Sequence, residues 1–204
     1  VAATAGGRRL TEVHRLAQAR LGAATVAQMV AVWPLLDPER LDQTFPDWLA
    51  TAQVLVGASR AQSATLAANY VATFRTLEIG QRADVTTLAA VPPAKALATS
   101  LLVTGPVAIK AAVGRGKPRT AAAETAMATS AAAAMRHALN GGRETIIRAV
   151  SADKRARGWH RVTSGRACPF CASLTGQVFS GPADFRAHDH CSCSVEPLYI
   201  PNAA

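Results

Sequence analysis

PDWLATAQVLVGASRAQSATLAANYVATFRTLEIG, residues 46–80, is the longest uninterrupted helical pattern in the chain. Trp48, Ala52, Leu55, Ser59, Gln62, Leu66, Tyr70, Phe74 and Leu77 recur at helical spacing, and Leu49, Val56, Ala67 and Val71 widen the stripe. That period predicts one long helix over about 46–79 with an apolar face. Gly80 can turn left-handed and stop it. Ser59 and Gln62 weaken the stripe midway, so that part is expected to face solvent or another subunit. The aromatic residues read as core.

On the N-terminal side, Leu10, Val13, Leu16, Ala17 and Leu21 mark the core face of a first helix, which Gly22 interrupts. A second helix at about 25–36 presents Val26, Met29, Val30 and Trp33, with Pro34 kinking its last turn. Asp37-Pro38-Glu39 reads as the capped, acidic first turn of a short helix. On the C-terminal side, an extended stretch at 84–91 ends at Pro92-Pro93. Helices of about 93–103 and 106–113 follow, then a basic joint at 114–118. An alanine-rich helix of about 119–139 is ended by Asn140-Gly141-Gly142. A last amphipathic helix at 143–157 sets Ile146, Ile147 and Val150 against arginines.

From Trp159 to Thr163 the pattern alternates like a strand, and Gln177-Val178-Phe179 and Ser194-Val195-Glu196 read as two more. The predicted fold class is mostly α with a long central helix, no large sheet and a small C-terminal α+β module, a zinc module by its Cys168-x-x-Cys171 and His188-x-x-Cys191-x-Cys193 donors. Three regions follow: a helical 1–114, a basic helical 115–158 and a metal module at 159–204. Leu198, Tyr199 and Ile200 are expected to fold back onto the core. There is no internal repeat.

Half of the 204 residues are apolar, but much of that share is alanine and aromatics are only 5%. Alanine favours helix and buries little area, which suits long, closely packed helices or a protein completed by partners. The net charge of +9 sits between Lys110 and Arg166, where twelve Lys and Arg face Glu124, Glu144 and Asp153; the rest is balanced. A basic segment beside a metal module points to a polyanion, most simply double-stranded DNA contacted without reading sequence. Arg148, Lys154, Arg155 and Arg157 are the candidate contacts, crowded into ten residues. The competing readings are a solvated helix face or an acidic protein partner. Trp159 is the only aromatic in that segment, a poor basis for base stacking. Gly114-Arg115-Gly116-Lys117 lacks the full phosphate-loop string.

No signal peptide is read, since Arg8-Arg9 follow the small N-terminal residues rather than precede them. No apolar run of about 20 residues is free of charge and proline, so no membrane span is expected. Residues 96–113 come closest and read as two short buried helices.

All four cysteines and two of the five histidines fall in 26 residues: Cys168-Pro169-Phe170-Cys171, then His188-Asp189-His190-Cys191-Ser192-Cys193. Soft donors in a CxxC followed by HxxCxC fit a tetrahedral, structural Zn²⁺ site. Paired disulfides, a redox site and unligated thiols are the alternatives. CPFC lacks the βαβ context of a redox motif. Six candidate ligands argue against an open catalytic zinc, because closed shells are structural. Clustered metal-type cysteines favour a reducing cytoplasm as the place of synthesis. No nucleophile elbow and no Ser/His/Asp set is visible, and His14, His137 and His160 lack acidic partners at useful sequence spacing. The chain is therefore expected not to be an enzyme.

GWHRVTSGRACPFCASLTGQVFS (158–180) and AHDHCSCSVEPLY (187–199) resemble the C-terminal module of the phage Mu protein F-like (MuF) minor head proteins of tailed phages. LTEVHRLAQARLGAATVAQMVAVWPLLDPERLD (10–42) is similar to the start of such proteins from actinobacterial phages. The matching positions are Cys168, Cys171, Gly176 to Phe179, His188, Cys191, Cys193 and Pro197. In zinc terms this favours Cys168 and Cys171 as one pair and His188 with Cys191 as the other. Cys193 is the next candidate, and His190 the least favoured, because the resemblance sets the histidine three residues before the first cysteine.

The resemblance implies a minor capsid protein made in the host cytoplasm and acting in head morphogenesis at or near the portal. It would reside in the virion in several copies. Portal or major capsid protein would be its partners, with packaged DNA as a further contact and no membrane. Some relatives carry a fused protease or toxin domain, which is not expected here. A cytoplasmic zinc-module DNA-binding regulator is the alternative, and a metal-dependent nuclease the third reading, which only His188-Asp189-His190 beside the CxxC supports.

Overall fold

The structure is a computed structural model that describes residues 3–82, 96–163, 167–182 and 185–200. It opens with one unbroken helix, α1 (Ala5–Val32), whose N-cap Thr4 accepts a hydrogen bond from the Gly7 N–H at 3.1 Å. The expected break at Gly22 is absent. A Cβ there would stand 3.0 Å from Met135 Cγ, so the residue is a close contact rather than a stop. The second helix of the sequence reading is the end of α1 plus a 3-10 turn, Trp33–Leu35, around Pro34.

Helix α2 (Leu41–Ile79) begins five residues earlier than expected and carries Pro46 inside its second turn. One missing N–H near a helix start is a small loss against the burial of Trp48, Ala52, Val56, Tyr70, Val71 and Phe74 behind it. Gly80, at φ 70°, ends α2 as predicted. The extended stretch at 84–91 and Pro92-Pro93 lie outside the described residues. Helices α3 (Leu97–Leu102) and α4 (Ala108–Gly114) are joined by a π turn, Val103–Val107, where Gly105 is non-helical. The two expected short helices are present, but the apolar segment 97–114 that they form is only 33% buried. By length and composition alone it meets the requirement of a membrane span. Its inner face, Leu97, Leu101 and Ile109, packs with Trp48 and the alanines of the next helix.

That helix, α5 (Arg119–Ala152), fuses what the sequence reads as two. Asn140-Gly141-Gly142 does not end it. A Cβ at Gly141 would fall 2.3 Å from the Arg60 carbonyl oxygen, and one at Gly142 2.7 Å from Ser63 Oγ. The two glycines let α5 lie against the backbone of α2. Ser59, Arg60 and Ser63 are therefore buried; only Gln62 of the weak stretch faces outward.

Helices α1, α2 and α5 pack on one another as a bundle. The orientation of α1 reverses expectation. Its buried face is Thr11, His14, Gln18, Leu21, Thr25 and Met29, whereas Val13 and Leu16 are 62% and 43% exposed. The polar residues face partners: Gln18 and Ser63 hydrogen-bond side chain to side chain at 2.7 Å, and Ser63 Oγ also accepts from the Gly142 N–H at 2.9 Å. Buried polar groups satisfied in this way cost little.

After α5 the chain forms a three-stranded antiparallel sheet in the order β2-β1-β3. Its central strand is β1 (Ala156–Val162), flanked by β2 (Val178–Phe179) and β3 (Ser194–Tyr199). The expected helix at 143–157 thus stops at Ala152. Gly158, at φ 145°, is required where β1 passes β2, since a Cβ would meet the Phe179 carbonyl oxygen at 2.3 Å. Pro197 is tolerated because β3 is an edge strand. Tyr70, Phe74, Ile146, Ile147 and Val150 share one core with Trp159, Phe185, Val195 and Tyr199, which seats the sheet on the bundle. Ile200, expected in that core, is 52% exposed.

Candidate metal centre

The first cysteine pair rides on a single helical turn, α6 (Pro169–Ser173), with Cys168 as its N-cap. The Cys168 sulfur accepts the Cys171 N–H at 3.3 Å. Pro169 pre-sets the first turn, so both sulfurs point the same way. That hydrogen bond holds the Cys168 thiol below its usual range. The second set hangs on the turn 188–191, closed by the Cys191 N–H to the His188 carbonyl at 3.1 Å. Cys193 stands just ahead of β3.

The structure brings five sequence-predicted donors into two overlapping triads. Cys168, Cys171 and His188 form one; Cys171, Cys191 and Cys193 form the other, with donor atoms within 4.8 Å of each other in each. Cys171 belongs to both. His188 Nε2 lies 3.0 Å from Cys168 Sγ and 3.4 Å from Cys171 Sγ, and Cys171 Sγ lies 3.9 Å from Cys191 Sγ. In a tetrahedral zinc shell with bonds near 2.3 Å, ligand sulfurs stand about 3.8 Å apart. The spacings are those of a shell, not of disulfides, and all four cysteines are free thiols. His188 Nδ1 is 2.6 Å from the Asp189 carbonyl oxygen. An N–H there fixes the tautomer and leaves Nε2 as the donor facing the sulfurs. His190 is exposed, at φ 63°, and belongs to neither triad.

The surroundings are unusual for a hydrophobic interior. Arg161, on the inward side of β1 with Trp159, directs Nη1 at Cys171 Sγ (3.4 Å) and Cys191 Sγ (3.8 Å). Arg143 reaches from α5 to the carbonyl oxygens of Cys191 (2.5 Å) and Cys193 (3.0 Å). Both guanidiniums lie over the ring of Phe185, at 3.8 Å for Arg161 and 4.8 Å for Arg143. The Cys193 thiol donates to Cys191; with Arg143 nearby, this overrides burial and pulls Cys191 down to about 4, while Cys193 is pushed up. Burial pushes the Cys171 thiol up as well, so Cys168 and Cys191 are the two members held toward the thiolate, the form a metal takes. Sequence reasoning passed over both arginines. Alternation along β1 puts Arg161 on the same side as Trp159, the one signal that could have found it.

The proposed DNA contacts are not on one helix face. Arg148 lies on α5, Lys154 and Arg155 in the turn after it, and Arg157 on β1; Lys154 and Arg157 are exposed. Much of the neighbouring positive charge is consumed internally. Lys110 pairs with Asp42 (2.5 Å), Arg119 with Glu39 (3.2 Å) and Arg136 with Asp189 (2.7 Å). Arg143 and Arg161 are buried.

His160, read as lacking an acidic partner, has one. Its Nε2 is 2.7 Å from Glu196 Oε1 across the sheet. Thr11 donates to the other oxygen of Glu196 at 2.5 Å and lies 2.8 Å from the Tyr70 hydroxyl. Burial raises Glu196, but the bonds from His160 and Thr11 outweigh it and hold the carboxyl below its usual value. His14 stacks on Tyr70, and burial lowers it to about 4. These groups pin the module to α1 and α2.

Fold and site together define a helical bundle that carries a C-terminal module with a cysteine and histidine cluster able to hold a metal ion. The chain matches the family described as VG15 protein over residues 7–201. It belongs to that family, which is a family of phage proteins. No curated protein and no solved structure matches it.

Proposed function

We propose that this chain is a MuF-like minor capsid protein of a tailed phage, with a structural role in head morphogenesis at or near the portal. It resides in the virion in several copies and binds portal or major capsid protein, not membrane. Family membership supports the phage setting. The observation that carries the structural reading is the outward face of α2 and of the C-terminal part of α1. On α1 the exposed charged residues, Arg8, Arg9, Glu12 and Arg20, lie ahead of that part, and from Ala23 to Ala31 every exposed residue is Ala, Gln or Val. On α2, between Ala50 and Leu77, every exposed residue is Ala, Gln, Val, Gly, Thr, Asn or Leu. Surfaces so poor in charge fit permanent protein contacts better than free solution.

The cysteine cluster holds one structural Zn²⁺ in this reading. Cys168, Cys171, His188 and Cys191 supply the shell, with Cys193 alongside. The ion closes a module whose strands are too short to fold alone. No catalytic role is proposed for any residue. Exposed Lys154 and Arg157, with Arg148 and Arg155, support sequence-blind contact to packaged DNA.

The deciding experiment purifies virions from infected cells, identifies their proteins by mass spectrometry and cross-links them. The protein is expected in the particle, cross-linked to portal or capsid protein through α1 or α2. Its absence from virions, together with binding of one short duplex at least about 10³-fold above random DNA, would replace this reading with a regulator. Divalent-ion-dependent DNA cleavage lost on changing His188 would replace it with a nuclease.

A further inference from the structure

Two guanidiniums are sealed into the module beside its sulfurs. Arg161 is 2% exposed and Arg143 4%. Arginine keeps its charge in proteins, and a buried charge is tolerated only against an opposite one. Among the described residues neither arginine has a carboxylate at ion-pair distance. Arg161 gives one arm to Cys171 and Cys191 and the other to the Phe185 carbonyl, and its Nε finds no partner among the described residues. Arg143 ends on the carbonyls of Cys191 and Cys193. Among the described residues, the groups at hand that can supply negative charge are the thiols.

The geometry points to an anionic metal–thiolate centre whose counter-cations are Arg161 and Arg143, with Arg161 a positioning residue that sets how tightly the centre holds its ion. This deepens the zinc reading above and rests on it. The charge count runs through the shell. A divalent ion with two thiolates is neutral; with three thiolates and His188 it carries one negative charge, and with four thiolates two. Two buried cations therefore select at least three thiolates, and the site has a fifth donor, Cys193, within 4.8 Å of Cys171 and Cys191. Thiolate-rich shells prefer zinc and its soft relatives over magnesium or calcium. An N–H···S bond to a bound thiolate spreads its charge and fixes its direction, as outer-shell partners do at other metal sites.

A counter-cation behaves differently from a packing element. With the ion bound, Arg161 faces negative charge and stabilises the fold. With the ion stripped, the guanidinium loses the bound centre it faces and contributes less to the fold.

The test compares the full-length protein with its Arg161→Met and Arg161→Lys variants. Zn(II) affinity is measured by competition with a chromophoric chelator, thermal midpoints are taken loaded and stripped, and Co(II) spectra count the thiolates. The Met variant is expected to bind zinc roughly 10- to 100-fold more weakly. Stripped of metal, it should lose less of its melting midpoint relative to wild type than it loses when loaded. The Lys variant should recover part of the affinity, and Co(II) wild type should show charge-transfer intensity for three or four thiolates. Unchanged affinity in the Met variant overturns the proposal, as does an equal loss of midpoint in both states, which marks a packing role. A spectrum of two or fewer thiolates overturns it without recourse to any variant. If the Met variant does not fold, the Lys variant and the wild-type spectrum decide. Wild type that takes up no zinc overturns the metal reading itself; wild type that takes up zinc no more tightly than the Arg161→Met variant overturns only this inference.

Discussion

The bundle and the module are stabilised in opposite ways. The bundle holds α1, α2 and α5 together through many small contacts: alanines on α5, glycines where α5 crosses α2, and a few polar pairs such as Gln18 with Ser63. No single side chain dominates. The module has three short strands, one helical turn and a core that leans on Phe74 and Ile146 of the bundle. Five donor atoms and two buried arginines gather inside it. Loss should therefore be gradual in the bundle and abrupt in the module.

The largest expected effect is on the module. Chelation, or Cys171→Ser at the donor shared by both triads, is expected to remove roughly 5 kcal/mol or more of module stability. Proteolysis should then open 167–200 while circular dichroism keeps most of its helical signal. Simultaneous loss of both would mean that the two regions fold as one unit. Next comes Gly141→Ala, whose Cβ would meet the Arg60 carbonyl oxygen at 2.3 Å. About 3 kcal/mol is expected, because backbone must move, read as a lower urea midpoint with zinc content unchanged.

Acid should weaken the bundle through His14. Its imidazole is held at about 4 in the fold against 6.5 when free, so below pH 6.5 the unfolded chain takes up a proton that the folded one refuses. Stability from this group is full above pH 6.5 and is lost as pH falls toward 4, to a limit of about 3 kcal/mol. His14→Phe should flatten urea midpoints measured between pH 7 and 4.5. Thr11→Val removes a donor to the buried Glu196 and a partner of Tyr70, and about 2 kcal/mol is expected, seen as a lower melting midpoint and as loosening of the module against α1. The smallest effect on the isolated protein is at Val30→Glu. It should change stability by less than about 0.5 kcal/mol and yet reduce incorporation into particles.

The sequence made one region legible and hid the logic of the other. Helix α2 follows its apolar period at Trp48, Ala52, Tyr70 and Phe74, whose aromatic members are large and find the core wherever the neighbours lie, whereas Leu77 of the same stripe is 49% exposed. The CxxC and HxxCxC spacings carry their chemistry in the residue types themselves. The face of α1 was not legible, since Thr11, His14 and Gln18 are buried only because α2, α5 and β3 hold the matching polar groups, far away in the chain. Gly22, Gly141 and Gly142 look like stops when read locally, whereas close helix approach is a tertiary fact. The His160–Glu196 pair depends on strand register, and Arg143 and Arg161 look like solvated surface charge until the fold turns them toward sulfur.

The sheet has a consequence for crowding. Strand β3 is buried along its whole length, and β2, the opposite edge, is two residues long. An open edge would offer backbone groups for a neighbour to extend, the usual seed of fibrous growth. Among the described residues this protein offers almost none. Copies packed into one particle, as proposed above, would not zip together strand by strand and would meet through helical surfaces instead.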